Sequence, residues 1–251
     1  MRSPFARWPA RPGEAPLQFC SAGRTHRGCV RELNEDAILE APQYGLWAVA
    51  DGMGGMSAGD VASRAVIDAL AAPDQASDRR RHLAEALHRT NARLLDYAAD
   101  IGAGAVGATV AALSVQDGAY DIAWAGDARG YLLRAGKLER LTRDHSLVQD
   151  LVDQGVMTPA EARRSRRRNI VTRAIGADPV LELDLRQGQV AAGDLFLLCS
   201  DGLSGVIEDH ELAHQLAQGG DLARLADALV ELSLHRGAPD NVSLVLVRAE
   251  A

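Results

Sequence analysis

The chain has 251 residues, 47% of them hydrophobic, and a formal net charge of −7. That length suits one β-rich domain with a sizeable core, and the negative balance excludes a general nucleic-acid binder. Cys20, Cys29 and Cys199 form no CxxC pair and read as reduced, core-type thiols of a cytoplasmic protein, and no apolar run approaches the roughly 18 residues of a membrane span. All basic residues but Lys137 are Arg, a bias read as codon usage rather than anion binding.

Residues 1–16 are rich in Pro and Arg and lack an apolar h-region, so they read as a flexible tail and not a secretory signal. A single domain is expected over 17–251. Residues 17–22 read as a first strand and 23–32 as a polar, basic segment. After a short apolar run at 37–39, residues 45–50 read as a buried strand ending in Asp51. Gly52, Gly54 and Gly55 follow, where a backbone without Cβ can turn sharply or approach a ligand. Ser57 or Asp60 caps a helix with Val61, Ala65, Val66, Ala69 and Leu70 on one face, closed at Pro73. Ser77 caps a second, with Leu83, Leu87, Leu94, Leu95 and Ala98 inward. Short strands are expected at 109–115, 120–125, 131–133 and 138–141, with turns at Asp117-Gly118 and Ala135-Gly136. This spacing predicts an antiparallel sheet. Residues 146–154 read as a short helix stopped by Gly155, and Thr158-Pro159-Ala160-Glu161 as a capping box. Five arginines crowd 163–168. Strands are expected at 170–175, 181–185, 195–199 and 242–247, and helices at 211–216 and 222–235.

Asp51, Asp127 and Asp201 each follow an apolar strand and adjoin a glycine, and Asp240 precedes a strand. Strand ends in packed sheets share a rim, so the four carboxylates can converge. Uncompensated, they would repel and raise one another's pKa. A pair of divalent cations resolves the repulsion, and oxygen-only ligands select Mg²⁺ or Mn²⁺ over Zn²⁺. Such a pair can activate a bridging water and clamp a phosphoryl oxygen. Arg31 offers a fork for phosphate. With no nucleophilic side chain evident nearby, direct attack by metal-bound water is the natural mechanism.

Seven segments then occur in a recognisable order: Val30-Arg31-Glu32-Leu33-Asn34-Glu35-Asp36, Ala50-Asp51-Gly52-Met53-Gly54-Gly55, Ala125-Gly126-Asp127-Ala128-Arg129, Leu141-Thr142-Arg143-Asp144-His145-Ser146, Thr172-Arg173-Ala174-Ile175-Gly176, Cys199-Ser200-Asp201-Gly202-Leu203 and Asp240-Asn241-Val242-Ser243. Over about residues 20–248 the chain resembles the metal-dependent serine/threonine protein phosphatases of the protein phosphatase 2C family, in their bacterial branch. The resemblance implies an α+β fold, a four-layer α-β-β-α sandwich of two antiparallel sheets flanked by helix pairs. It implies that Asp51 bridges two Mn²⁺ or Mg²⁺ ions, with the Gly52 carbonyl on one, while Asp201 and Asp240 hold the other. Asp36, with Glu35, would bind directly or through water, and Asn241, like Glu35, is a candidate support behind the ligands. Asp127 with Asp201 matches a third-ion site, and Arg31 the phosphate-binding arginine. Residues 146–168 correspond to a flap carrying Ser146, Arg166 and Arg167, whose arginines would meet an acidic phosphoprotein, with a solvated basic helix as the default reading. The implied substrates are phosphoserine and phosphothreonine in proteins, and the implied partner is a cognate bacterial Ser/Thr kinase that the enzyme opposes. A cytoplasmic monomer is expected, off membranes and nucleic acid.

The chain departs from the family pattern in places. Met53 stands where animal members carry a histidine, Met56 where bacterial relatives often do, Ala108 in the family's Gly-Thr-Thr, and Gly205 where an acidic residue often helps the third ion. Two rival readings follow. One is a catalytically weak phosphoprotein-binding module of the same fold, whose signature would be loss of the carboxylates. The other is a zinc hydrolase built on His210-Glu211-Leu212-Ala213-His214, an HExxH pattern with only Glu231 as a conceivable third ligand; the polar side of an amphipathic helix explains it better.

Overall fold

Apolar residues on alternate positions of the strands face two different layers, and this sets the architecture. The computed structural model describes residues 6–7, 17–54, 58–71 and 78–251. One sheet runs, neighbour to neighbour, β1 (Ala6–Arg7), β2 (Gln18–His26), β11 (Val242–Glu250), β10 (Leu195–Cys199), β7 (Arg129–Arg134) and β8 (Lys137–Arg140). The other runs β3 (Asp36–Ala41), β4 (Leu46–Gly54), β5 (Val106–Gln116), β6 (Ala119–Ala125) and β9 (Asp184–Gln189). Every pairing is antiparallel. Phe196 and Leu198 of β10 meet Phe19, Trp47, Val49, Leu113 and Val245 between the sheets. Leu195 and Leu197 point the other way, to Leu212, Leu216, Leu225 and Leu229 of α6 (Asp209–Ala217) and α7 (Leu222–His235). The second sheet packs its outer face on Val66, Leu70, Leu83, Leu87 and Leu94 of α1 (Gly59–Ala71) and α2 (Arg79–Asp100). Three apolar layers thus separate four structural ones, the expected α-β-β-α sandwich, and a strand buried on both faces reads as a continuous apolar run.

Several local expectations hold closely. Asp117 and Gly118 both take positive φ, 51° and 74°, as do Ala135 and Gly136, 49° and 78°, the signature of two-residue hairpins. The Thr158/Glu161 capping box opens α4 (Pro159–Arg164). The short helix expected over 146–154 is α3 (Leu147–Asp153); the structure adds Ser146 as its cap, accepting from Gln149 N at 3.3 Å.

Others are corrected. The buried face of α1 is Gly59, Ala62, Ser63, Val66, Ile67 and Leu70, while Val61 is 39% exposed. The expected stripe mixed two helical phases because alanines weight every face alike. The α2 cap is Asp78, which accepts from Arg81 N. Residues 170–175 form no strand; Val171 and Ile175 make single bridges to Ser146 and Ala108, and the apolar character comes from Ala174 and Ile175 burying at the base of the flap. The strand expected at 181–185 starts only at Asp184, where the chain first meets β6 across from Trp124. Within the expected tail, Ala6 and Arg7 pair with Phe19 and Gln18. The rest of 1–16, the residues Gly55 and Met56, the Ser57 and Ser77 caps and the Pro73 stop lie outside the described residues. Among the described residues no helix is long and apolar enough to cross a membrane.

Candidate active site

Asp51 does not end its strand, as the sequence suggests, but lies within β4, directly across from Asp36 on β3 and Thr109 on β5. Antiparallel register therefore brings two carboxylates side by side. The backbone here is tightly apposed: a Cβ on Gly52 would lie 1.9 Å from the carbonyl oxygen of Gly59 and 2.7 Å from that of Glu35. Gly52 N donates to Glu35 O at 3.1 Å, and the Glu35 carboxylate packs against Gly59.

The other sheet brings its own carboxylates to the same end. Asp201 is the first residue of α5 (Asp201–Ser204), directly after β10. Asp240 precedes β11, and Asp127 follows β6 in the turn to β7. A Cβ on Gly202 would sit 1.8 Å from Asn241 O, so only glycine lets the α5 turn meet the start of β11. Burial drives Asp51 well above the ordinary carboxylate range, and the charges of Asp36, Asp201, Asp127 and Asp240 add to the rise. Asp36 is pushed up to about 7, chiefly by burial, although Ser200 Oγ donates to its Oδ2 at 2.8 Å. Asp201 rises to about 6 through burial and the Asp240 charge, held back by Arg129, Arg31 and Arg168. Asp127 is raised by burial and by the Asp201 and Asp144 charges. Asp51 and Asp201 still keep a partly exposed face. All five expected carboxylates thus share one end of the sandwich.

The fit to a cation can be judged from the donors themselves. Asp36 Oδ1 and Asp201 Oδ1 are buried without a hydrogen-bond partner. Buried acceptors left without a proton or cation are costly, and hard oxygens suit a hard divalent ion. Among the described residues no three Asp, Glu, His or Cys side chains are gathered into a closed chelating group. The donor chemistry fits Mg²⁺ or Mn²⁺.

Arg31, exposed at the mouth, donates to Asp240 Oδ2 at 2.7 Å. Its loop is pinned from behind by Asn241, whose amide accepts from Glu35 N at 2.8 Å and donates to Arg27 O at 2.9 Å and Leu33 O at 2.8 Å. Gly28, at φ +75°, lies against Asp240 O.

The flap is attached beside this cluster. His145 N donates to Gly126 O at 2.9 Å, and Gly126 N to His145 Nδ1 at 3.2 Å. Arg129 forks onto Asp144 at 2.9 and 2.6 Å. Arg163 reaches Ser204 O at 3.4 Å. Ser146, expected on the substrate flap, is buried as a helix cap, and Arg166 and Arg167 are exposed. Arg168 is the flap arginine whose charge reaches Asp201. Ser200, which orients Asp36, went unremarked in the sequence although it stands inside the Ser200-Asp201-Gly202 segment.

The zinc pattern does not assemble. Glu211 is forked by Arg236 at 2.8 and 2.6 Å and closes the α6 capping box, His210 pairs with Glu208, and His214 and Glu231 are exposed.

The family model for protein phosphatase 2C matches residues 22–243. The chain belongs to the protein phosphatase 2C family. Within that family it is 39% identical over 231 residues to the serine/threonine protein phosphatase PstP of Mycobacterium tuberculosis, covering 90% of this chain and 44% of that one. It therefore spans less than half the length of that relative. The serine/threonine phosphatase stp of Listeria monocytogenes is 33% identical over 90% of this chain and 94% of its own. Among solved structures, Pseudomonas aeruginosa PppA, described as a key regulatory component of T6SS, superposes with a TM-score of 0.86 at 42% identity, covering 92% and 97% of the two chains. The catalytic domain of PstP in complex with two manganese ions gives 0.85 at 36% identity, covering 94% and 100%. The protein phosphatase 2C sandwich of these relatives is the four-layer fold described above.

Proposed function

We propose that this protein hydrolyses phosphoserine and phosphothreonine in proteins, using two divalent cations, Mn²⁺ or Mg²⁺. The observation that carries the reading is Asp51, flanked by Asp36, Asp127, Asp201 and Asp240, with two buried carboxylate oxygens lacking partners and Arg31 at the mouth. Asp51, the Gly52 carbonyl, Asp36, Asp201 and Asp240 would hold the pair, and Asp127 with Asp201 a third ion. Bound, the cations supply an activated water and neutralise charge building on the phosphoryl group. Arg31 binds the phosphate through its fork, oriented by Asp240. Ser200 orients Asp36, and Glu35 and Asn241 stand behind the ligands as backbone supports. Arg166 and Arg167 contribute positive charge to the exposed flap and no contact within the cluster. The manganese ions in the PstP catalytic domain support the choice of metal. The same reading makes the protein a cytoplasmic monomer that opposes a bacterial Ser/Thr kinase.

The test is release of phosphate from a phosphothreonine peptide with Mn²⁺, Mg²⁺, Zn²⁺ or chelator, beside Asp51→Asn. Activity that needs Mn²⁺ or Mg²⁺ and is lost in the variant is expected. Mn²⁺ binding without hydrolysis of any phosphopeptide would overturn the reading in favour of a phosphoprotein-binding module.

A further inference from the structure

In the loop sequence Arg31 lies between Val30 and Leu33, two apolar residues that the fold does not use. Val30 is 68% exposed and Leu33 53% exposed, and neither joins any of the three apolar layers. Their loop is nevertheless held firmly. Cys29 N donates to Ala238 O at 2.9 Å, and Asn241 Nδ2 holds the carbonyls of Arg27 and Leu33 at 2.9 and 2.8 Å. Asn34 Nδ2 donates to Thr25 Oγ1 at 2.7 Å. A loop fixed through its backbone while presenting two aliphatic side chains to water contributes nothing to the core through them, and is preorganised for contact.

We propose that Val30 and Leu33 form a specificity subsite for the phosphopeptide substrate, which takes an aliphatic side chain one to three residues from the phosphorylated one. The inference rests on the hydrolase reading above and identifies the substrate class of that site. A phosphate on the Arg31 fork fixes the substrate backbone at the mouth of the cluster. An extended peptide advances about 3.3 Å per residue, so side chains one to three residues from a phosphate on Arg31 stay within about 10 Å of it, the range in which the neighbours of Arg31 in the loop can be reached. Glu32, exposed and between Val30 and Leu33 in the sequence, disfavours an acidic residue at the same place. Partial burial of a Leu against Val30 and Leu33 is worth about ten-fold in kcat/KM.

The experiment uses phosphothreonine peptides that differ at one position, scanned from three residues before to three after the phosphoresidue, carrying Leu, Ser or Glu. With the wild-type protein and Mn²⁺, one or two positions should favour Leu over Ser about ten-fold in kcat/KM, with Glu below Ser. The near-isosteric double variant Val30→Thr/Leu33→Asn should bring the Leu/Ser ratio close to one, whereas Val180→Ser, a substitution at another exposed aliphatic, should leave the ratio as in wild type. A flat ratio in the wild type, or a preference that survives the double variant, would overturn the proposal. Hydrolysis of p-nitrophenyl phosphate by the wild type reports separately on the hydrolase reading: if that fails, the reaction is wrong; if it succeeds with a flat peptide scan, only the subsite is.

Discussion

Asn241→Ala isolates how far the cleft depends on one side chain behind it. Asn241 is 5% exposed and its side chain makes three hydrogen bonds, to Glu35 N, Arg27 O and Leu33 O, all between 2.8 and 2.9 Å. Each such bond contributes about 1 kcal/mol net, and a buried partner left unpaired costs about 1–3 kcal/mol. Water from the cleft can re-pair some of the stranded groups, so a loss of about 3 kcal/mol is expected, about two powers of ten in the folding equilibrium. The same change frees the loop that carries Arg31 and the segment that carries Asp240. A displacement of about 1 Å at a catalytic group can cost about a hundred-fold in rate, so kcat/KM should fall by that order. Asn241→Asp retains the acceptor for Glu35 N but sets a carboxylate against two carbonyls, and should cost at least as much. Urea denaturation followed by circular dichroism measures the first effect, and peptide dephosphorylation the second. A variant within about 0.5 kcal/mol of wild type, with unchanged kcat/KM, would refute the claim that this amide organises the site.

Further outcomes follow from the same geometry. In chelator, the folded-state pKa values of Asp36 (about 7), Asp201 (about 6), Asp51 and Asp127 all lie above the unfolded value. The folded state therefore binds their protons more tightly, and their contribution to stability is present below about pH 4 and is lost as pH rises, for Asp201 through about 6 and for Asp36 through about 7. The metal-free protein should melt about 5 °C or more lower at pH 8 than at pH 5.5, and Mn²⁺ should reverse the difference; a melting temperature that climbs with pH in chelator contradicts the electrostatic account. Gly202→Ala forces a methyl to within 1.8 Å of Asn241 O, so a loss of about 3 kcal/mol or more with weakened Mn²⁺ binding by calorimetry is expected. His210→Ala/His214→Ala should retain its Mn²⁺-dependent activity; abolition of activity would revive the zinc reading.

Much of this protein is legible residue by residue, wherever a local signal suffices. The run Leu195-Phe196-Leu197-Leu198-Cys199, the Asp117-Gly118 turn, the Thr158 capping box and the helix from Leu222 to His235 need only their own apolar pattern, φ preferences and caps. Asp51, Asp127 and Asp201 stand out in the sequence as aspartates beside glycines at apolar strand boundaries and Asp240 as one that precedes a strand, whereas Asp36 enters only through the family resemblance. Periodicity describes one segment at a time, and it failed where the answer lay in another. The α1 face, the missing strand at 170–175 and the late start of β9 were decided by what each segment packs against. Ser146 could not be known as a buried cap, nor Glu211 as the partner of Arg236, until the chain was folded. The same holds for the site. Sequence alone determined which carboxylates this protein carries and the turns that end its strands. Tertiary structure alone decided that Asp51 faces Asp36 across β3 and β4 while Asp201 and Asp240 arrive from the opposite sheet, because convergence depends on strand register and on two sheets packing face to face, contacts of long sequence separation that no local pattern encodes.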